Sequence, residues 1–207
     1  MKTLIAIPCM SMVPTGFLRS LETLRRLPDT YTLIRECTLI HDARNEAASI
    51  AITKGFDRVL WIDSDMVFEP DLLMRLSSRL DEGKHMVCGI FYRRMVGGGP
   101  VIYCRQERCT DPVHGEYIKP VAYEKDQYPR DKLFQVEACG FGAVMTDVPL
   151  LKAVWDKYGP PFSYYMNLGE DMSFCYRVRE LGCGIWCDSS IKVGHIGQYI
   201  YGEEKQE

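Results

Sequence analysis

Val59-Leu60-Trp61-Ile62-Asp63-Ser64-Asp65 is the stretch whose reading decides the fold. The apolar run is short and is bounded by Asp57-Arg58 before it and by acid after it, so it reads as a buried strand. The two aspartates then stand where the strand leaves the sheet. In an open α/β sheet that edge is where ligands bind. Strand alternation predicts that Asp63 and Asp65 point the same way, toward one hard cation or its water shell. By itself an Asp-x-Asp is a common charged strand-to-loop turn, and the rest of the chain is what gives it weight.

Working outward, Lys2–Ile7 reads as a first strand ended by Pro8. Phe17, Leu18, Leu21, Leu24 and Leu27 recur at helical spacing until Pro28 stops them. Tyr31–Arg35 reads as a second strand, and His41–Glu46 opens a second helix that packs through Ala47, Ala48, Ile50 and Ala51 and ends at Gly55. Strand, helix, strand, helix, strand implies βαβ units and a parallel sheet with right-handed connections. After the aspartates, Glu69-Pro70-Asp71 marks a helix start with Pro at the first helical position, and Leu72, Leu73, Leu76 and Leu80 form its apolar stripe. Met86–Phe91 reads as another strand.

The middle is less regular. Arg93–Pro100 is basic and then glycine-rich, but no lysine follows in P-loop spacing, so it reads as a mobile loop. Gln106–Gly115 reads as a polar loop, and Tyr117–Tyr123 and Leu133–Ala138 as short strands. Cys139–Met145 is an apolar run interrupted by Gly140 and Gly142, a pattern that permits close backbone approach. Val148–Tyr158 reads as a helix, Phe162–Tyr165 as an aromatic loop, and Gly169-Glu170-Asp171 as the start of a helix through Arg179. Ile185–Cys187 and Ile191–Val193 read as late strands, followed by Gly194-His195.

At 207 residues, the expectation is one domain over residues 1–201 with a polar, disordered tail at 202–207. The net charge of −3 and the lack of a basic block argue against nucleic acid as the main partner. No apolar stretch reaches the roughly 20 residues that span a bilayer, and the first apolar run is too short for a signal peptide. The expectation is a cytoplasmic protein, with peripheral membrane contact left open. The cysteines number nine, an odd count without a CxxC pair, and read as reduced core residues rather than a zinc site.

Taken in order, these pieces resemble the GT-A glycosyltransferases, in particular family-2-like nucleotide-diphospho-sugar transferases. The resemblance rests on the strand end at Pro8, the helix start Ala43-Arg44-Asn45, and Asp63-Ser64-Asp65 with its continuation Met66–Pro70. It rests further on Gly140-x-Gly142, on Gly169-Glu170-Asp171 running to Arg177, and on the late Gly194-His195. It spans nearly the whole chain. It implies a single Rossmann-like α/β domain, with a central, mostly parallel sheet flanked by helices and a smaller antiparallel portion.

The resemblance also implies an activity: a hexosyltransferase moving sugar from a UDP- or GDP-sugar to a glycan or other hydroxyl acceptor, with Mn²⁺ or Mg²⁺. Asp65 would be the direct metal ligand, Asp63 would hold the ribose or a metal-bound water, and His195 would complete the metal site. As a lone residue His195 reads rather as a satisfied core or surface histidine, and its place after the last strand reverses that preference. Pro8 and Arg44 match positions lining the nucleotide, and Tyr199 is placed to reach the diphosphate. Arg44 reads equally as a surface partner of Asp42 or Glu46. Asp171 matches the base of inverting members, whereas by chemistry alone Glu170 is equally placed and both are acids suited to a helix N-terminus. Retaining enzymes share these features, so inversion is the favoured reading beside that alternative. A nucleotidyltransferase would want a basic phosphate loop after strand one, and Cys9–Gly16 has no Lys or Arg. A non-catalytic sugar-nucleotide or glycan-binding module is the remaining alternative.

Overall fold

The computed structural model describes residues 1–36, 39–113, 115–197 and 200–202. The first half of the chain runs β1 (Thr3–Cys9), α1 (Thr15–Thr23), β2 (Thr30–Glu36), α2 (Ile40–Thr53), β3 (Arg58–Ile62), β4 (Met66–Val67), α3 (Leu72–Asp81) and β5 (Met86–Ile90). Then follow β6 (Ile102–Asp111), β7 (Gly115–Ala122), β8 (Leu133–Val136), β9 (Ala138–Cys139) and β10 (Ala143–Asp147). The last part holds α4 (Val148–Tyr158), α5 (Glu170–Glu180), β11 (Ile185–Lys192), β12 (Gly194–Ile196) and β13 (Ile200–Tyr201).

The main sheet has strand order β2-β1-β3-β10-β5-β11-β8. β1 pairs parallel with both β2 and β3, and β5 parallel with β11, while β10 and β8 run antiparallel to their neighbours. Five of the seven strands therefore share one direction. Every residue of β1, β3 and β5 is buried, as expected for strands covered on both faces. Alternation sends Leu4, Ala6, Val59 and Trp61 into one core and Ile5, Ile7, Leu60 and Ile62 into the other. Helices α2, α4 and α5 cover the first face, and α1 and α3 the second.

Two small antiparallel sheets attach to this body, β13-β12-β4 and β7-β6-β9. The second corrects an expectation: Gln106–Asp111 is not a loop but one arm of a β6–β7 hairpin. The arm carries polar residues along both faces because much of it projects from the body, so no apolar alternation marks it. Helix α1 ends at Thr23 rather than at Pro28, and Leu24 is buried from an extended conformation beyond it. Pro70 lies in a turn before α3, which begins at Leu72. Pro8 does not end β1; it lies past the β1–β3 pairing and still opposite Arg35 of β2. The two expected late strands are one, β11, with a register shift between Asp188 and Lys192. Tail residues 203–207 lie outside the described residues. Among the described residues, Cys88, Cys104, Cys109, Cys139, Cys175, Cys183 and Cys187 are free thiols. No described helix is long and apolar enough to cross a membrane.

Leu73 is fully buried in the α3 face, and its neighbour Met74 is 44% exposed. Leu73→Ala is expected to cost about 2–5 kcal/mol in urea unfolding, while Met74→Ala stays within about 0.5 kcal/mol.

Candidate active site

β1 lies between β2 and β3, so the strand order reverses beside it. Such a reversal leaves a crevice at the carboxyl ends of the strands. A cavity of about 290 Å³ opens there. Pro8, Cys9 and Met10 line it from the end of β1, and Asp63, Ser64 and Asp65 from the end of β3. Ile40, Arg94 and His195 complete the wall.

The aspartates do not sit on a strand. β3 ends at Ile62, and Met66 N–H donates to the Asp63 carbonyl at 3.3 Å, which makes residues 63–66 a turn. Alternation therefore does not govern the two carboxylates, and each turns to its own partners. Asp63 takes a hydrogen bond from Arg44 at 2.6 Å. Asp65 is 2.9 Å from Arg94 and 3.4 Å from His195 Nε2. Directly behind the turn, a Cβ on Gly142 would meet the Phe91 ring at 3.0 Å and would run into Met66 Cε, so only glycine fits there without repacking.

Arg44 reconciles neither reading of it. It pairs with neither Asp42 nor Glu46, the latter being held by Arg35 at 2.6 Å. It is 2% exposed and does not line the cavity. Its guanidinium instead joins Asp63 to Glu170 at the start of α5, under the rings of Phe141 and Phe162. Burial alone would lower its pKa, but Asp63, Glu170 and Asp171 hold it charged. Arg44 thus positions the acids from beneath. Among the acids, burial pushes Asp63 up against the pull of Arg44. Burial also works on Asp65, yet His195 and Arg94 hold that carboxyl below its ordinary range.

Glu170 and Asp171 occupy the first turn of α5, behind Gly169 as N-cap. Glu170 is committed to Arg44. Burial, then repulsion from Glu170, raises the Asp171 carboxyl to about 6. Asp171 accepts the Met172 backbone N–H at 2.7 Å.

His195 comes from the far end of the chain. β12 pairs with β4, setting His195 opposite Met66, and Ile196 N–H donates to the Asp65 carbonyl at 2.7 Å. His195 Nδ1 donates to the Tyr92 carbonyl at 2.9 Å, which leaves Nε2 facing Asp65: protonated, it pairs with the Asp65 carboxylate, and deprotonated, it is free to share a cation with it. Asp65 Oδ1 is buried without a hydrogen-bond partner. Among the described residues, no group of three or more His, Cys, Asp or Glu forms a ready metal cluster. A buried, unpartnered carboxylate oxygen beside a ligand-ready imidazole nonetheless fits a hard divalent cation that takes its other ligands from phosphate and water.

Arg94, Cys9, Met10, Ile40 and Ser64 were not foreseen as site residues. Arg94 had a signal, its place before Gly97-Gly98-Gly99. That segment is not an open cradle: Gly98 N–H bonds the Met95 carbonyl at 2.9 Å and Arg93 N–H bonds Gly99 at 3.1 Å, folding the chain back so that Arg94 reaches Asp65. Tyr199 lies outside the described residues.

The crystal structure of A197 from STIV matches with a TM-score of 0.67 at 20% identity, covering 100% of this chain and 96% of that one. GalNAc-T7, solved with UDP, GalNAc and Mn²⁺, matches at 0.60 and 11% identity, covering 95% of this chain and 44% of that one. At these identities the likeness shows the fold, which is GT-A. No curated protein matches the chain. The model of the family described as "Glycosyl transferase family 2" matches residues 21–147, and the chain belongs to that family.

Proposed function

We propose that this chain transfers a sugar from a UDP- or GDP-sugar to an acceptor hydroxyl with inversion, using Asp171 as general base and a Mn²⁺ or Mg²⁺ ion at Asp65 and His195. The observation that carries this reading is the cavity at the strand reversal, where Asp65 and His195 converge while the α5 acids are tied to the same turn through Arg44. Pro8, Cys9, Met10 and Ile40 offer the apolar wall against which a nucleoside packs. GalNAc-T7 was solved with UDP, GalNAc and Mn²⁺, and its fold supports extending that donor class to this chain.

The chemistry is a single displacement. Asp171 takes the proton of the acceptor hydroxyl, whose oxygen forms a bond to the anomeric carbon. The bond from that carbon to the diphosphate oxygen breaks, and the electron pair leaves with the nucleoside diphosphate. A divalent cation held by Asp65 and His195 would supply Lewis-acid stabilisation of the leaving phosphates. Arg94 adds a positive charge in the same cavity. Asp63 and Arg44 hold the acid-bearing turn and the start of α5 in fixed relation.

Nucleoside diphosphate release from UDP-, GDP- and dTDP-sugars, with Mn²⁺, with Mg²⁺ and with EDTA, tests the reading. One donor should turn over, EDTA should stop it, and Asp65→Asn should abolish it in a protein that still folds. Failure of every donor both to bind and to turn over overturns the reading.

A base with a pKa of about 6 must be ionised to act. Its kcat/KM should be flat above about pH 7 and fall roughly tenfold per pH unit below 6. Asp171→Asn should bind donor normally and lose transfer. Normal transfer by that variant would reassign the base.

Arg44→Met leaves two half-buried carboxylates without their cation and is expected to cost about 3 kcal/mol at neutral pH. The penalty should shrink as the pH is lowered and Asp63, whose carboxyl burial already pushes up, takes up a proton, and Arg44→Lys should not restore it because an ammonium cannot fork between both carboxylates.

A further inference from the structure

The geometry points to a second carbohydrate subsite, away from the donor cavity, that grips distal sugars of an oligosaccharide acceptor; it rests on the transferase reading above. A cavity of about 280 Å³ lies between the β6–β7 hairpin, the end of α4 and the outer side of α5, lined by Arg108, Tyr158, Tyr165, Tyr176, Arg177 and Glu180. Its size is near the small end of ligand pockets. Three tyrosines in one cavity wall offer flat apolar faces, each with a hydroxyl at its rim. Two guanidinium groups and a carboxylate supply donors and an acceptor, the combination that sugar hydroxyls satisfy because each can both give and take a hydrogen bond.

The wall is held in place before any ligand arrives. Arg108 donates to the Tyr176 hydroxyl at 2.7 Å, which ties the hairpin to α5. The Tyr165 and Tyr176 rings stack at 5.2 Å and 28°. Arg177 is buried and donates to the Pro161 and Ser163 carbonyls at 2.8 and 2.7 Å, fixing the loop that carries Tyr165. Among the described residues no carboxylate pairs with Arg177, so this buried cation faces the cavity unbalanced by an acid of its own. Tyr165 nevertheless remains 39% exposed and Tyr164 59% exposed, unusual for rings that serve only as packing.

The subsite connects to the chemistry through Tyr165. That ring also lines the open depression formed by residues 164–169, which runs to Gly169 beside Glu170 and Asp171. Along α5, Tyr176 and Glu180 stand about 8 and 14 Å beyond Asp171 at 1.5 Å per residue. An acceptor reaching both Asp171 and this wall must be longer than a single sugar. The acceptor class is therefore an oligosaccharide or glycan chain, rather than a monosaccharide or a small alcohol.

The test compares monosaccharides, disaccharides and longer oligosaccharides of glucose, galactose, mannose and N-acetylglucosamine as acceptors for the active donor. The longer acceptors should show a KM about tenfold or more below that of the matching monosaccharide. Tyr176→Ala and Arg108→Ala should erase that advantage while leaving the monosaccharide KM and acceptor-free donor hydrolysis unchanged. Tyr176→Phe, which keeps the ring and removes only the hydroxyl, guards against a folding artefact and should lose part of the advantage. Indifference of the wild type to acceptor length overturns the subsite, as does an advantage untouched by Arg108→Ala. If no donor turns over at all, NMR titration with the same oligosaccharides decides separately. Binding lost in Tyr176→Ala and Arg108→Ala upholds the cavity as a glycan site, and no binding overturns it.

Discussion

The site depends on one buried cation. Arg44 is carried on α2, yet its guanidinium is spent on Asp63 at the end of β3 and on Glu170 at the start of α5, 126 residues further along. A buried charge is costly unless it is paired, and here three acids share one guanidinium. The acids are half-buried, and the fully buried Arg44 could not be held there without them. The two Phe rings beside it, Phe141 and Phe162, exclude water and sharpen the interaction. The turn that presents Asp65 and the helix that presents Asp171 are therefore one electrostatic unit, although they belong to different parts of the chain.

A second constraint closes the site from the opposite side, and it is made of backbone. The short β12–β4 pairing draws the late His195 against the turn that follows β3. The Tyr92 carbonyl then chooses which ring nitrogen faces Asp65. Neither contact is strong alone. Together they put the imidazole Nε2 beside a carboxylate whose other oxygen has no partner. Arg94, 2.9 Å from the same carboxylate, is half exposed and sits on a glycine-turned loop, so it is the member of this group freest to move.

Much of this was legible in the residues, for physical reasons that differ from element to element. β1, β3 and β5 are covered on both faces, so each appears as an unbroken apolar run. The start of α5 announces itself by Gly169 followed by two acids that suit a helix N-terminus. The Gln106–Asp111 strand was illegible because a projecting hairpin has little apolar face to reveal. Arg44 was illegible for the opposite reason: its neighbours Asp42 and Glu46 are plausible partners in sequence, and only tertiary packing brings Asp63 and Glu170 closer. The same holds for Arg94, whose reach to Asp65 depends on how Gly97–Gly99 folds the chain back.

Glu170 and Asp171 show why motif spacing alone could not choose a base. The two are adjacent acids in the same helical turn, and both enjoy the same dipole. What separates them is the Arg44 ion pair, made by Glu170 alone of the two, and the burial of Asp171. Arg44 holds the Glu170 carboxylate in an ion pair and thereby removes it as a proton acceptor. Burial first, and then the charge on Glu170, lift Asp171 to about 6 against the pull of Arg44, where a carboxylate is a stronger base yet still ionised at neutral pH. The proposed choice of Asp171 as base rests on that difference in surroundings. The cation that anchors the fold of the site thus also gives its two adjacent acids different partners.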